Sequence, residues 1–131
     1  MKATERNSTG TTSVRLLAHD AALYRRVGWR FEERGLIVSK MTIGEFDTNS
    51  LADTDSSATA FLVDLGWSET EIAEAMRVVF ALTELSDPLR VVVLAPWFDA
   101  ATRPEWAELG VSLVLDRTTP PPTIVESVIG R

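Results

Sequence analysis

The residues best suited to chemistry stand at the ends of apolar runs. In FLVDLGW, residues 61–67, an apolar run stops at Asp64 and is followed at once by Leu65, Gly66 and Trp67. Such an acid is either a reactive carboxylate or a polar residue closing a buried strand. The single histidine, His19, follows VRLLA (14–18) and precedes Asp20. A histidine there could act as a general base or sense pH, although a lone loop histidine usually does neither. Asp116 and Arg117 follow VSLVL (111–115). Other chemistries lack their residues. The chain has no cysteine, so it has no thiolate nucleophile, zinc–thiolate site or disulfide scaffold. No serine stands in a glycine elbow, and GEFDTNS lacks the glycine pattern that cradles phosphate. The histidine–glycine spacing after the first run is not that of a cobalamin site.

The elements that must position these groups can be read from the pattern of the chain. Five apolar runs, VRLLA (14–18), LIVSKM (36–41), TAFLVD (59–64), RVVVLA (90–95) and VSLVL (111–115), predict strands. Three of them are almost continuously apolar, as in a parallel sheet covered on both faces. Between them, Leu23, Val27 and Phe31 give residues 21–34 one apolar helical face, and Gly35 ends that helix. A capping box of Ser68 and Glu71 opens a helix over 69–85, with Ile72, Met76, Val79 and Phe80 as its inner stripe and Asp87-Pro88 as its stop. Residues 98–109 are interrupted by Pro104. Asp99 would cap a first turn there, and Pro104 would open a second. Residues 122–129 form a short helix with Ile124, Val125 and Val128 inward. Residues 42–58 offer Phe46 and Leu51 among many turn residues, which predicts an irregular crossover with a short helix or none.

Strict alternation of strands and helices implies an α/β fold with right-handed crossovers. The expected architecture is a flavodoxin-like (βα)5 three-layer sandwich, its parallel five-stranded sheet ordered 2-1-3-4-5. Sites in such sheets form beyond the carboxyl ends of the strands where the order reverses. That rim collects Ala18, His19 and Asp20, then Asp64 to Trp67, then Ala95, Pro96 and Trp97, then Asp116, Arg117 and Thr118.

The bulk numbers narrow the class. A chain of 131 residues is expected to form one domain, here 14–131 after a polar, disordered lead-in over 1–13. Its 45% hydrophobic and 24% charged content is that of an ordinary globular protein. A net charge of −6 argues against direct nucleic-acid binding. No run is apolar enough to span a bilayer, and the first residues lack the apolar centre of a signal peptide, so a cytoplasmic location is expected. Arg25, Arg26, Arg30 and Arg34 crowd one segment, either as a solvated face balanced by Glu32 and Glu33 or as a docking patch for an acidic partner. Trp29 falls off the Leu23–Val27–Phe31 stripe and should point outward. With Trp67, Trp97 and Trp106 it makes up the candidate interface residues, tryptophan being enriched at contact hot spots.

Over residues 14–130 the chain resembles the receiver domains of two-component response regulators, the CheY-like fold. The residues that carry the likeness are FLVDL, SDPLRVVVLA, ELGVSLVLDR and FEERGLIV. The resemblance puts Asp64 at the phosphoacceptor position. It puts Ala18 and His19 where receivers keep the acid pair that holds magnesium, so Asp20 would enter only if the register slips by one. Ala95 takes the place of the switch hydroxyl. Arg117 takes the place of the lysine, keeping its charge but not its compact ammonium group. The resemblance therefore implies a signalling or regulatory protein-interaction module that is not an enzyme, holds no cofactor and works independently of phosphorylation. Its partner would be a protein, the output domain of a regulator or a second copy. Contact would run through the face formed by 98–109, 111–115 and 122–129, or through the first helix. One alternative is a phosphorylatable receiver using Asp64, with Asp20 in a magnesium site and Arg117 in place of lysine. Another is a small ligand-binding or enzyme-accessory domain with Trp67 and Trp97 lining an apolar mouth.

Overall fold

The computed structural model of the chain describes residues 11–47, 49, 58–85, 90–96 and 103–130, with backbone alone at 103–105. The five apolar runs pair as β1 (Ser13–Ala18), β2 (Ile37–Thr42), β3 (Thr59–Asp64), β4 (Arg90–Ala95) and β5 (Leu113–Asp116). The pairs are all parallel, in the order β2-β1-β3-β4-β5. Burial explains the three kinds of run. Every residue of the central β3 is buried, and in β4 only Arg90 is not. The edge strand β2 is mostly exposed. Of the polar lead-in expected over 1–13, residues 1–10 lie outside the described residues. Ser13 already belongs to β1, and Thr12 bonds through its backbone to Ala58 and Ile37.

Side chains alternate across the sheet, so it has two cores. Leu16, Ala18, Leu62 and Leu94 pack on one face with Leu23, Val27, Phe31, Ile124 and Val128. Leu17, Phe61, Val63 and Val93 pack on the other with Ala75, Val78, Val79 and Leu82. The register sets Ala18 beside Thr42, Asp64 beside Leu94 and Ala95 beside Asp116. One rim therefore receives the carboxyl ends of all five strands.

The helices follow their signals with two departures. The first helix, α1, is π-wound over Tyr24–Gly28 and α-helical over Trp29–Glu33, not uniformly α-helical. The cause is local. A Cβ on Gly28 would lie 2.8 Å from the Tyr24 ring, so only glycine lets that ring lie back along the helix, where Lys40 Nζ sits 4.6 Å from its centroid. Gly35 follows at φ 84°, the left-handed turn expected of a helix stop.

The helix α2 (Glu69–Thr83) opens on the Ser68–Glu71 capping box. Its buried face is Ala75, Val78, Val79 and Leu82. Phe80, expected inward, is 43% exposed. Phe80 lies about 100° around the helix from Val79, on the side away from Ala75, Val78 and Leu82, while Ile72 and Met76 remain at the margin of the core. The short α3 (Arg103–Leu109) has Pro104 as its second residue. In α4 (Pro121–Ile129), Ile124, Val125 and Val128 are buried as expected. Arg90 reaches from β4 to close its last turn, Nε donating to the Val128 carbonyl at 2.9 Å and Nη2 to that of Ser127 at 2.6 Å. Among the described residues of the 42–58 crossover is a 3-10 turn, Ile43–Glu45, with its own Thr42–Glu45 capping box. Leu51, Asp87-Pro88, Trp97 and Asp99 lie outside the described residues. Among the described residues, no helix is long and apolar enough to cross a membrane.

Candidate functional site

Asp64 closes β3 and is carried into the rim by the strand's last ladder bonds. Leu65 N donates to the Leu94 carbonyl at 3.0 Å, after which Gly66 turns the chain at φ 92°. Asp64 Oδ1 accepts the Gly66 amide across this turn at 3.0 Å. Its Oδ2 accepts Arg117 Nη2 at 2.8 Å, in a pair whose side chains are only 6% and 12% exposed. The pair forms because β5 extends its ladder by one bond, Arg117 N donating to the Ala95 carbonyl at 2.7 Å. That bond places the arginine at the same level as the end of β3.

The opposite side of the guanidinium is covered by a ring. Arg117 Cζ lies 4.2 Å from the centroid of Trp67, a cation–π contact. Trp67 is itself 61% exposed, so it roofs the cation and does not enclose a hollow. Arg117 Nε and Nη1 are buried without a hydrogen-bond partner among the described residues. Glu71 shapes the roof. Its Oε1 accepts the Trp67 amide at 2.9 Å and the Ser68 amide at 3.2 Å. These two donors hold its carboxyl below the ordinary glutamate value, because they stabilise the charged form.

His19 is drawn into the same wall. Its Nε2 lies 2.9 Å from the Glu71 carbonyl, and Nδ1 lies 4.0 Å from Glu74 Oε1. Gly66 leaves room for it, since a Cβ there would meet the imidazole Cδ2 at 2.9 Å and Glu71 Cβ at 2.8 Å. Ala18 is buried and packs toward α1. Asp20 is exposed, and its Oδ1 accepts the Ala22 amide at 2.9 Å at the head of α1. Asp20 is thus spent on a turn. Ala95 is 6% exposed, its methyl in the second core. Asp116 bonds through Oδ1 to the amide and hydroxyl of Thr118, and these donors lower its carboxyl from the ordinary value.

The structure thus gathers Asp64, Trp67, Arg117 and His19, leaves Ala18 packed with α1 and Asp20 at the head of α1, and adds Glu71. The capping signature had already marked Glu71 as a helix-start residue. Its contact with His19 lies 52 positions away in sequence and left no local trace. Of the candidate interface residues, Trp29 is 47% exposed with the Arg30 guanidinium 4.4 Å from its centroid, while Trp106 is half-buried against the second core.

A magnesium ion needs a near-octahedral set of oxygens. Here the Asp64 oxygens already serve Gly66 and Arg117, Ala18 offers no donor, and the Asp20 carboxylate caps a turn. Among the described residues, no three His, Asp or Glu side chains gather as a metal site. The residues present do not fit the ion.

Comparison with solved structures settles the architecture. A response regulator from Thermotoga maritima superposes with a TM-score of 0.69 at 16% identity, over 90% of this chain and 94% of its own. The fold is that of response-regulator receiver domains. A CheY-like receiver domain protein from Methanospirillum hungatei JF-1 gives 0.69 at 13% identity, over 90% of each chain. A Burkholderia pseudomallei response regulator, solved with a phosphorylated aspartic acid and a calcium ion, gives 0.65 at 16% identity over 89% of this chain and 66% of its own. No known family profile and no curated protein sequence matches the chain.

Proposed function

We propose that the chain is a receiver-type protein-interaction module that signals without phosphorylation and is not an enzyme. The observation that carries this reading is the state of Asp64. Both of its oxygens are engaged, and the cation beside it is a side chain of the protein. Arg117 thus neutralises the acid permanently, a task that a dissociable metal would otherwise perform. With the charge already balanced, an incoming phosphoryl group would have to displace a buried ion pair and would find no second acid to hold its counter-ion. The Burkholderia relative, with its phosphorylated aspartic acid and calcium ion, shows what a receiver of this fold can hold when the site is open.

The contact face that fits best is α1. Arg25 is exposed there and Trp29 stands out beside Arg30. This basic, aromatic strip on a chain of net charge −6 suits an acidic surface on a partner. The direct test is NMR of the chain with beryllofluoride and magnesium, with acetyl phosphate followed by mass spectrometry as a second arm. The amides of Gly66 and Trp67 should stay unshifted and no phosphoryl mass should appear. A saturable adduct at Asp64 overturns the phosphorylation-independent reading. The interaction face is tested by Trp29→Ala with Arg25→Glu, which should abolish capture of a cellular partner that Trp67→Ala still captures.

A further inference from the structure

We propose that the hollow between the start of α1 and the ends of β1 and β2 is a binding site for a small amine with a single-ring apolar body. It lies on the opposite side of β1 from Asp64, away from the Trp67 rim, and is independent of whether the chain works as a receiver.

The size comes first. The hollow has a volume of about 150 Å³, close to that of an apolar protein cavity known to accept benzene. Drug-sized pockets are larger, so the fit is to one ring and a short substituent. Its floor and walls are apolar: Leu16 and Ala18 from β1, Leu23 at the head of α1 and the ring of Tyr24. The methyl of Ala18 is the reason the floor is deep, since any larger side chain there would fill it.

The charge of the rim selects the head group. Asp20, Lys40 and Glu45 border the opening. The Lys40 ammonium is directed over the Tyr24 ring at 4.6 Å, leaving two carboxylates, each accepting one backbone amide through a single oxygen, against one occupied cation. Glu45 stays ionised at neutral pH, because the Thr42 backbone amide that donates to its Oε1 at 3.0 Å holds its carboxyl below the ordinary value. The whole chain adds the same sign, at −6, and such a field concentrates cations over anions.

The backbone gives a third, independent sign. The wall residue Tyr24 begins the π-wound stretch Tyr24–Gly28. Single π turns inside helices gather at functional sites. In this one the Tyr24 ring lies against Gly28, where a Cβ would come within 2.8 Å of it.

The test is a set of ¹⁵N NMR titrations with benzylamine, toluene and benzoate. The titrations run to millimolar concentration, because a ligand of so few atoms makes few contacts. Benzylamine should shift the amides of Ala18, Ala21, Tyr24, Met41 and Thr42 and saturate, toluene should bind more weakly, and benzoate should not bind. Ala21→Leu, which fills the hollow from its rim, should abolish the benzylamine shifts. Glu45→Gln keeps the acceptor that closes the 3-10 turn, and should weaken benzylamine several-fold while leaving toluene unchanged. Three results overturn the proposal: no saturable shift with benzylamine at millimolar concentration, benzoate binding as tightly as benzylamine, or benzylamine binding unchanged in Ala21→Leu. Should Ala21→Leu fail to fold, unchanged benzylamine affinity in Glu45→Gln overturns it equally.

Discussion

The two sides of β1 at the carboxyl rim carry opposite solutions to the same problem. Toward β3 and α2, polar groups are turned on one another: Asp64 on Arg117 and Gly66, Glu71 on the Trp67 and Ser68 amides, His19 on the Glu71 carbonyl. Toward β2 and α1, the walls are aliphatic side chains and the Tyr24 ring, and the acids stand at an open edge. Ala18 and His19 are consecutive, and the period of a strand sends them to opposite sides. The histidine fills one side, and the alanine leaves the other empty. With histidine and alanine at these two positions, one face is filled and the other borders the hollow.

The contrast can be broken or sharpened by substitution, with stability read from urea unfolding. Asp64→Ala should cost the most, about 3 kcal/mol, because it strands the buried Arg117 guanidinium without its counter-charge. Asp64→Leu combined with Arg117→Met should recover most of that loss, since the cost lies in the unpaired charge and not in the lost pair. If Asp64→Ala is neutral, the closed side is not closed. Gly66→Ala should cost about 2 kcal/mol, through its left-handed backbone and through the crowding of Glu71 and His19. Ser68→Ala should cost about 1 kcal/mol by removing the cap of α2. On the open side, Asp20→Asn should change stability by no more than about 0.5 kcal/mol, because the exposed turn it caps accepts either residue.

Acid should separate the two sides less sharply. Glu71 on the closed side and Glu45 on the open one both have lowered values, Glu71 through the Trp67 and Ser68 amides and Glu45 through Thr42. A carboxyl lowered in the folded state stabilises it above the unfolded value, about 4.3 for glutamate, and the gain is lost as pH falls through the folded value. The unfolding midpoint should therefore hold from neutral pH to about pH 5 and drop below it. Glu71→Gln should flatten that drop, and an unchanged acid limb in this variant would show that the carboxylate is not held by the roof amides.

Much of this could be read from residue order alone. Unbroken apolar runs predict doubly covered strands because a strand buried on both faces has no room for alternation, as β3 and β4 show. The Ser68–Glu71 box and Gly35 mark helix ends because the bonds and torsions involved span only a few residues. Asp64 at the reversal of strand order follows from topology, and a polar residue closing a buried strand is one of the two readings its position allows.

The rest was set by contacts between distant segments. Phe80 and Val79 are neighbours of equal apolar standing, and the face on which α2 meets the sheet buries Val79 and leaves Phe80 43% exposed. The π turn of α1 depends on a tyrosine, a glycine and a lysine from the next strand arriving together. The roof of Trp67 on Arg117 joins the ends of β3 and β5. The hollow behind Ala18 has no sequence signature, because an empty volume is defined by which side chains fail to meet. Local rules state what each residue prefers over a turn or a strand; tertiary packing decides which of those preferences are met and where space is left over.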